Sequence, residues 1–262
     1  MLWTRSARAF LSALNLRLPI VQAPMASAVD WRAAAGVARA GGLGSIPCAM
    51  LTPDAIADEA ARFRAAAPRC APLNLNFFTY VDDAAVAAPG DAAAAAMAAR
   101  QGAWLDSLAP YYAECGVASD DAPSAAQLAA ACAASTRRPF GEAECAAVEA
   151  LRPEIVSFHF GLPAAPLVAR VRAAGCLVWS SATTTAEAEY LIARGVDGVI
   201  AQGTEAGGHR GSFLGRTAAD DASRVAPPSV GTLALVPQAC ARGVGAPTIG
   251  LGGGVAVWRC GS

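Results

Sequence analysis

The chain alternates short apolar runs with alanine-rich segments of helical periodicity, and this alternation restricts the fold more than any other feature. Alternating strands and helices are typical of βα units, in which helices cover a parallel sheet. Buried parallel strands have nearly continuous apolar sequences, and seven such runs are present. They are Leu18 to Met25, Gly42 to Cys48, Leu73 to Phe78, Ile155 to Gly161, Leu177 to Thr183, Gly198 to Gly203 and Pro247 to Gly253.

Segments between these runs carry apolar residues at a spacing near 3.6, which predicts helices. Glycine follows several of them, as at Gly41 and Gly175, where a left-handed C-cap costs glycine little. The first 18 residues predict a short amphipathic helix that leads into the first run. The other predicted helices are Trp31 to Arg39, Pro53 to Ala66, Ala164 to Ala174, Ala186 to Arg194 and Thr232 to Arg242.

A length of 262 residues suits one α/β barrel, which needs about 250 residues. We therefore predict a single domain over residues 1–262, a TIM (β/α)8-type barrel that is incomplete because seven strands are recognisable. Residues 79–153 interrupt the repeat between the third and fourth runs, and they predict a helical insertion or lid. Residues 254–262 form an atypical tail, too short for another helix and strand.

Charge and cysteine spacing narrow the class of ligand. The net charge is −1, and no cluster of Lys and Arg supplies an electrostatic basis for binding nucleic acid or an anionic membrane. No apolar run is long enough to predict a membrane span. No pair of cysteines has the spacing of a metal site. We expect a cytoplasmic protein that acts on a small molecule without a bound metal.

Polar residues gather where the predicted strands end, and the active site of such a barrel lies at that edge. The sequence there is QAPM at the end of the first run, NLN in the third and SS in the fifth. Both histidines of the chain, His159 and His209, fall at a strand end or in the loop that follows one. A lone histidine in an apolar run is more often a core residue. His159 precedes Gly161, however, where a ligand can approach, and imidazole suits proton transfer at neutral pH.

Two glycine clusters follow neighbouring strands near the end of the chain. Glu205 to Gly211 reads EAGGHRG after the sixth run, and Gly250 to Gly254 belongs to the seventh. Glycine lets successive main-chain N–H groups approach a phosphate, although tight turns alone explain either cluster. A pair of clusters at the last strands matches the phosphate-binding corner of many barrels. The pair favours a phosphorylated cofactor.

Four segments resemble the motifs of the nitronate monooxygenase family, formerly called 2-nitropropane dioxygenases. They are PIVQAPM (Pro19 to Met25), NLNFF (Asn74 to Phe78), SFHFG (Ser157 to Gly161) and AQGTEAGGHRG (Ala201 to Gly211). The resemblance implies a flavoprotein with FMN as cofactor. It also implies oxidation of alkyl nitronates with O2 to carbonyl compounds and nitrite.

The resemblance assigns roles to particular residues. It implies that His159 is the catalytic base or orients the substrate. Glu205 and His209 match the motif without a distinct chemical role. The implied cofactor-binding residues are Met25 and Asn76 beside the flavin, Gln202 near its polar edge, and Gly207, Gly208, Gly252 and Gly253 around its phosphate.

The tail departs from the family pattern, which continues with a helix and an eighth strand ending in Gly-Thr. A truncated gene model explains the departure better than a shortened protein with weakened flavin binding. Three alternatives remain: another FMN barrel of the enoyl-reductase type, a barrel resembling IMP dehydrogenase, and a non-catalytic remnant. The second needs a nucleophilic cysteine, and the nearest candidate, Cys48, reads as a packing residue. The sequence does not predict the oligomeric state.

Overall fold

A computed structural model describes residues 5–79, 91–117, 124, 127, 139–214, 230–241, 248–250 and 255–258. In these ranges the helices are α1 (Arg5–Ala13), α2 (Trp31–Ala40), α3 (Pro53–Ala66), α4 (Asp91–Glu114), α5 (Glu142–Leu151), α6 (Ala165–Ala173), α7 (Thr185–Ala193) and α8 (Thr232–Ala241). The strands there are β1 (Gly44–Pro47), β2 (Leu73–Phe78), β3 (Ile155–His159), β4 (Leu177–Ala182), β5 (Gly198–Ala201), β6 (Thr248–Gly250) and β7 (Val255–Trp258).

Strands β1 to β5 are parallel and lie side by side in chain order. Each is followed by a helix, as the alternating sequence predicts. The sheet is the wall of an incomplete α/β barrel. The predicted fold class is therefore confirmed, and the carboxyl ends of five parallel strands meet at one edge.

Several helices begin and end at residues whose local chemistry requires it. Thr52 caps α3 by accepting a hydrogen bond from the main-chain N–H of Ala55 at 3.3 Å, and Pro53 occupies the first turn, where its missing N–H costs nothing. Helix α2 ends at Gly41, whose φ of +96° is the left-handed C-cap that the sequence predicts. These signals explain why sequence and structure agree closely on helix bounds.

The two faces of the sheet carry different residues because side chains alternate along a strand. The face toward the helices is apolar and forms the larger core cluster, with Ile46, Leu75, Val156, Phe158, Val178 and Val199 among its buried members. The opposite face, which we call the inner face, carries most of the buried polar side chains, among them Asn74, Asn76, Ser157, His159 and Ser181. A candidate site therefore lies on the inner face.

Helix α1 covers an apolar patch of the inner face. Its Phe10 packs with Ile155 and Trp179 in a second buried cluster, and the Phe10 and Trp179 ring centroids lie 6.1 Å apart. Trp179 fits because its neighbour on β5 is Gly198, where an added Cβ would lie 2.7 Å from the indole Cδ1. The amphipathic helix predicted at the N-terminus is thus confirmed over Arg5–Ala13.

The first predicted strand, Leu18 to Met25, does not form. A single parallel bridge joins Val21 to Leu43 instead. Pro19 and Pro24 bracket the segment, and neither has the N–H that a strand in a ladder must donate. The segment therefore runs beside the sheet without becoming one of its strands.

The end of the sheet differs from the sequence-based expectation. Strand β6 is antiparallel to β7, and β7 inserts between β5 and β6, also antiparallel to β5. The expectation of a parallel seventh strand and a tail without a strand is corrected here. Antiparallel neighbours need only a short connection, here residues 251–254, whereas a parallel neighbour needs a dozen residues or more. The four residues between β6 and β7 are therefore enough for an antiparallel pair.

The chain divides into two compact units, Met1–Tyr80 with Arg138–Ser262, and Val81–Arg137. The first unit contains the sheet, and we call it the barrel unit. Helix α4 lies in the second unit, whereas α5 belongs to the barrel unit and buries Cys145 and Val148. The segment 79–153 thus includes a helix of the barrel unit, and its role as a lid stays a prediction. No helix of the described ranges is long and apolar enough to cross a membrane.

Candidate active site

His159 is the last residue of β3, and its imidazole lies on the inner face with 7% of its surface exposed. Both ring nitrogens have partners. The Ser181 hydroxyl donates to Nδ1 at 2.9 Å, and Nε2 donates to the main-chain carbonyl of His209 at 2.9 Å. A carbonyl oxygen can only accept a hydrogen bond, so the ring proton resides on Nε2. The structure therefore brings the two histidines of the sequence together, because the side chain of His159 is bonded to the main chain of His209.

Burial lowers the pKa of His159 from its ordinary 6.5 to about 4. Desolvation dominates because the charged ring would lose its water shell, and the nearby His209 lowers the pKa further. The hydrogen bond to the His209 carbonyl acts in the opposite direction. The imidazole is therefore neutral at pH 7, and Ser181 and the His209 carbonyl hold it in one tautomer.

The segment after β5 forms a wall against the imidazole. An added Cβ at Gly211 would lie 2.5 Å from Cε1 of His159, so only glycine fits there. Gln202 fastens this wall, because its Oε1 accepts from the N–H of Gly211 at 3.0 Å and its Nε2 donates to the His209 carbonyl at 3.3 Å. The AQGTEAGGHRG segment thus contacts His159 directly.

The turn after β3 is strained in a way that places an aromatic ring on the imidazole. Phe160 has a φ of +72° and Gly161 a φ of +100°. A left-handed conformation costs a residue other than glycine about 1–2 kcal/mol. The Phe160 and His159 ring centroids lie 4.4 Å apart, and an added Cβ at Gly161 would lie 3.2 Å from the Phe213 ring. Strain of this kind often marks a functional site.

The other predicted side chains of the inner face lie close to this centre. Asn76 is 5% exposed and donates to the Ser157 hydroxyl at 2.9 Å. Deeper in the face, Asn74 Oδ1 and Gln22 Nε2 are shielded from solvent and have no partner among the described residues. An unpartnered buried polar atom costs about 1–3 kcal/mol. A polar ligand group on this face would relieve that cost.

Gly207 and Gly208 are exposed, and an added Cβ at either position would meet nothing within 4 Å. Gly208 has a φ of +70°, which glycine adopts without strain. Open main chain of this kind lets an anion approach the N–H groups. The other predicted phosphate residues, Gly252 and Gly253, lie outside the described residues.

Met25 is the last residue of the first apolar run, is 49% exposed and begins a turn. Its side chain is not part of the hydrogen-bond network that joins His159 to Ser181, His209 and Gln202. Glu205 caps helix α8 by accepting from the N–H of Thr232 at 2.8 Å. Hydrogen bonds from its own main chain and from Thr232 hold its pKa below the ordinary value. Glu205 therefore has a structural role that the motif did not reveal.

Cys48 is buried at the end of the second run, and desolvation raises the pKa of its thiol far above the ordinary value. A thiol attacks as the thiolate, so Cys48 is unreactive at neutral pH. In the ranges that the structure covers, no group of three or more His, Cys, Asp or Glu is placed to hold a metal ion. The interpretation of Cys48 as a packing residue agrees with this environment.

Sequence reasoning missed three residues: Ser181 as a partner of His159, Gly211 against its imidazole, and the buried Glu187, whose carboxylate accepts hydrogen bonds from residues 212–214. The serine pair at the end of the fifth run signalled a polar strand end. The contacts of Gly211 and Glu187 join residues that are far apart in the chain, so no local sequence pattern predicts them. Together, fold and site define an α/β barrel of the TIM type with a neutral imidazole at the carboxyl ends of its strands.

Comparison with known proteins is consistent with that class. The family model described as nitronate monooxygenase matches residues 8–256. A nitronate monooxygenase of Paraburkholderia phytofirmans is 37% identical over 206 residues, which cover 79% of this chain and 50% of the relative. A nitronate monooxygenase of Pseudomonas aeruginosa is 37% identical over 245 residues, which cover 93% of this chain and 61% of the relative. The chain thus belongs to the nitronate monooxygenase family, a flavin-dependent group.

A solved structure agrees with this assignment, and a second shares the fold. A nitroalkane oxidase from Streptomyces ansochromogenes is 31% identical, with a TM-score of 0.60 over 88% of this chain and 57% of that one. A FabK variant from Thermotoga maritima is 19% identical with a TM-score of 0.54, a likeness that concerns the fold alone. The chain spans about half to three-fifths of the length of the relatives that it matches.

Proposed function

We propose that this chain carries the catalytic face of an FMN-dependent enzyme that oxidises alkyl nitronates with O2 to carbonyl compounds and nitrite. The observation that carries the proposal is His159, a neutral imidazole buried on the inner face beside the glycine-rich segment. Family membership supports the same chemistry. The cytoplasm is the location that we propose.

The pKa of His159 favours one substrate form over the other. With a pKa of about 4, the imidazole is a weak base, and proton removal is most efficient when the pKa of the base lies near the working pH. A neutral nitroalkane needs such a base, whereas a nitronate has already lost its α-proton. The proposed substrate is therefore the nitronate. His159 would orient it by donating from Nε2 to a nitronate oxygen, in place of the present bond to the His209 carbonyl.

The described residues fit a phosphorylated flavin. The open main chain at Gly207 and Gly208 would hold the phosphate, and Asn76 and Gln202 offer polar groups near the imidazole. When bound, the flavin would accept electrons from the nitronate and pass them to O2. The protein's part is to orient the substrate and to exclude water.

A Gly208→Val substitution tests the phosphate assignment. Valine at a φ of +70° brings a branched side chain into the space that the phosphate would use. Loss of one or two hydrogen bonds to a charged group is expected to weaken FMN binding about tenfold or more. The measurement is fluorescence titration of FMN against the purified chain.

Gly175→Val is the matched control for that experiment. Gly175 has a φ of +89° and equally open surroundings, but it follows the C-cap of helix α6, far from the glycine-rich segment in the chain. Both variants therefore carry the same type of backbone strain. Equal FMN affinity in the two variants would remove Gly208 from the phosphate site.

The function itself is tested with the 262-residue chain reconstituted with FMN. Mixing with ethyl nitronate in the absence of O2 should bleach the flavin absorbance, and admission of O2 should then restore it and release nitrite. Reduction by NAD(P)H and not by ethyl nitronate would place the chain with the enoyl-reductase type of barrel. A chain that binds no flavin would be the non-catalytic remnant.

A further inference from the structure

Glu187 is a fully buried carboxylate that joins two distant parts of the barrel unit. It lies in the first turn of α7 with 0% of its surface exposed. One oxygen accepts from the N–H and the hydroxyl of Thr183, at 2.6 and 2.7 Å. The other oxygen accepts from three groups in the segment that follows β5. They are the Ser212 hydroxyl at 3.0 Å, the N–H of Phe213 at 2.7 Å and the N–H of Leu214 at 3.1 Å.

This arrangement goes beyond what helix capping requires. Thr184 and Glu187 have the spacing of a capping box, and the Thr184 hydroxyl does accept from the N–H of Glu187 at 3.1 Å. A capping glutamate normally satisfies one N–H of its own helix end. Glu187 instead accepts five hydrogen bonds, three of them from residues 212–214. Charge-assisted bonds of this kind are about twice as strong as neutral ones.

The segment that Glu187 holds is the segment that contacts His159. Gly211 precedes Ser212 and lies against the imidazole, and the His209 carbonyl accepts the Nε2 proton. Phe213 covers the strained turn at Gly161. The position of residues 209–214 therefore decides which group the Nε2 proton of His159 meets, while Nδ1 keeps Ser181 of β4 as its partner.

We propose that Glu187 is a positioning residue that anchors residues 212–214 and so fixes the Nε2–H tautomer of His159. The carboxylate itself does not contact the imidazole. It acts through the main chain of residues 209–214, which it ties to Thr183, the residue that follows β4. Its role in turnover rests on the function proposed above, whereas its role in the ring tautomer does not.

The isosteric Glu187→Gln substitution tests this proposal. Glutamine keeps the shape of the side chain but turns an NH2 group toward N–H and O–H donors, so at least one side of the anchor is lost. We expect His159 to populate both neutral tautomers and its Nε2 proton to exchange with solvent about tenfold faster. Nitrogen-15 NMR of histidine-labelled protein at pH 7 reports both quantities, and the chain has only two histidines.

Glu144→Gln is the matched control. Glu144 is also buried, at 6% exposure, and accepts from the N–H of Gly141 at 3.0 Å, but it belongs to α5 and does not bond to residues 212–214. The proposal requires that this variant keep a single His159 tautomer. A His159 signal that is unchanged in Glu187→Gln, or changed equally in both variants, would overturn it.

A milder variant tests the same proposal if the Glu187→Gln chain does not fold. Ser212→Ala removes one of the five donors and should produce a smaller change of the same kind; no change would again overturn the proposal. In chains that bind FMN, Glu187→Gln should lower kcat for ethyl nitronate more than it raises KM. If the wild-type chain oxidises no nitronate, the proposed function fails while the tautomer measurement still decides the role of Glu187.

Discussion

Replacement of His159 with asparagine is expected to lower the turnover of ethyl nitronate about 10²-fold, the typical contribution of one positioned catalytic donor or base. Asparagine is too short to place a donor where Nε2 lies. The loss should fall on kcat, because the bond to the nitronate oxygen is most valuable as charge redistributes in the transition state. Steady-state kinetics with nitrite detection measure the effect.

The same variant should keep its FMN content, since the residues proposed to hold the phosphate lie after β5 and not on β3. Glu144→Gln is a suitable control because it changes a buried polar group outside the site, and its turnover should match that of the wild type. Full turnover in His159→Asn would remove the imidazole from the mechanism. A loss of flavin together with turnover would make His159 a cofactor ligand instead.

Much of the barrel could be predicted because its signals are local. An apolar run, a helical period and a glycine cap together identify a βα unit, and all three lie within a few residues of one another. The structure confirms α3 over Pro53–Ala66, the bounds that the sequence predicts. The position of His159 followed in the same way, because a strand end in a parallel sheet is also an edge of the site.

The features that the sequence did not predict depend on contacts between distant segments. Strand β7 forms by pairing with the edge of β5, and the sequence of Val255–Trp258 does not indicate which strand it will pair with. In the sequence Glu187 has only the spacing of a capping residue, because the three partners that distinguish it lie 25 to 27 residues further along the chain. The lowered pKa of His159 likewise comes from burial, which no local pattern reports.

That lowered pKa makes the stability of the chain depend on pH. The pKa of His159 is about 4 when folded and near the ordinary 6.5 when unfolded. Between these values the unfolded chain binds more protons, so the free energy of unfolding rises with pH. The contribution of His159 is fully present above pH 6.5 and is lost as the pH falls toward 4. A gap of this size corresponds to about 3 kcal/mol.

The expected result is that the stability difference between the wild type and His159→Asn shrinks by about 3 kcal/mol from pH 7.5 to pH 4. Urea unfolding at a series of pH values measures it, and subtraction of the two chains cancels the carboxylates that titrate in both. His209→Asn is the control, because it removes the other histidine and leaves the buried imidazole in place. A difference that stays constant over this range would mean that the imidazole is hydrated in the folded state. His159 would then not be a neutral donor held in a dry site, and the proposed preference for a nitronate over a nitroalkane would be overturned.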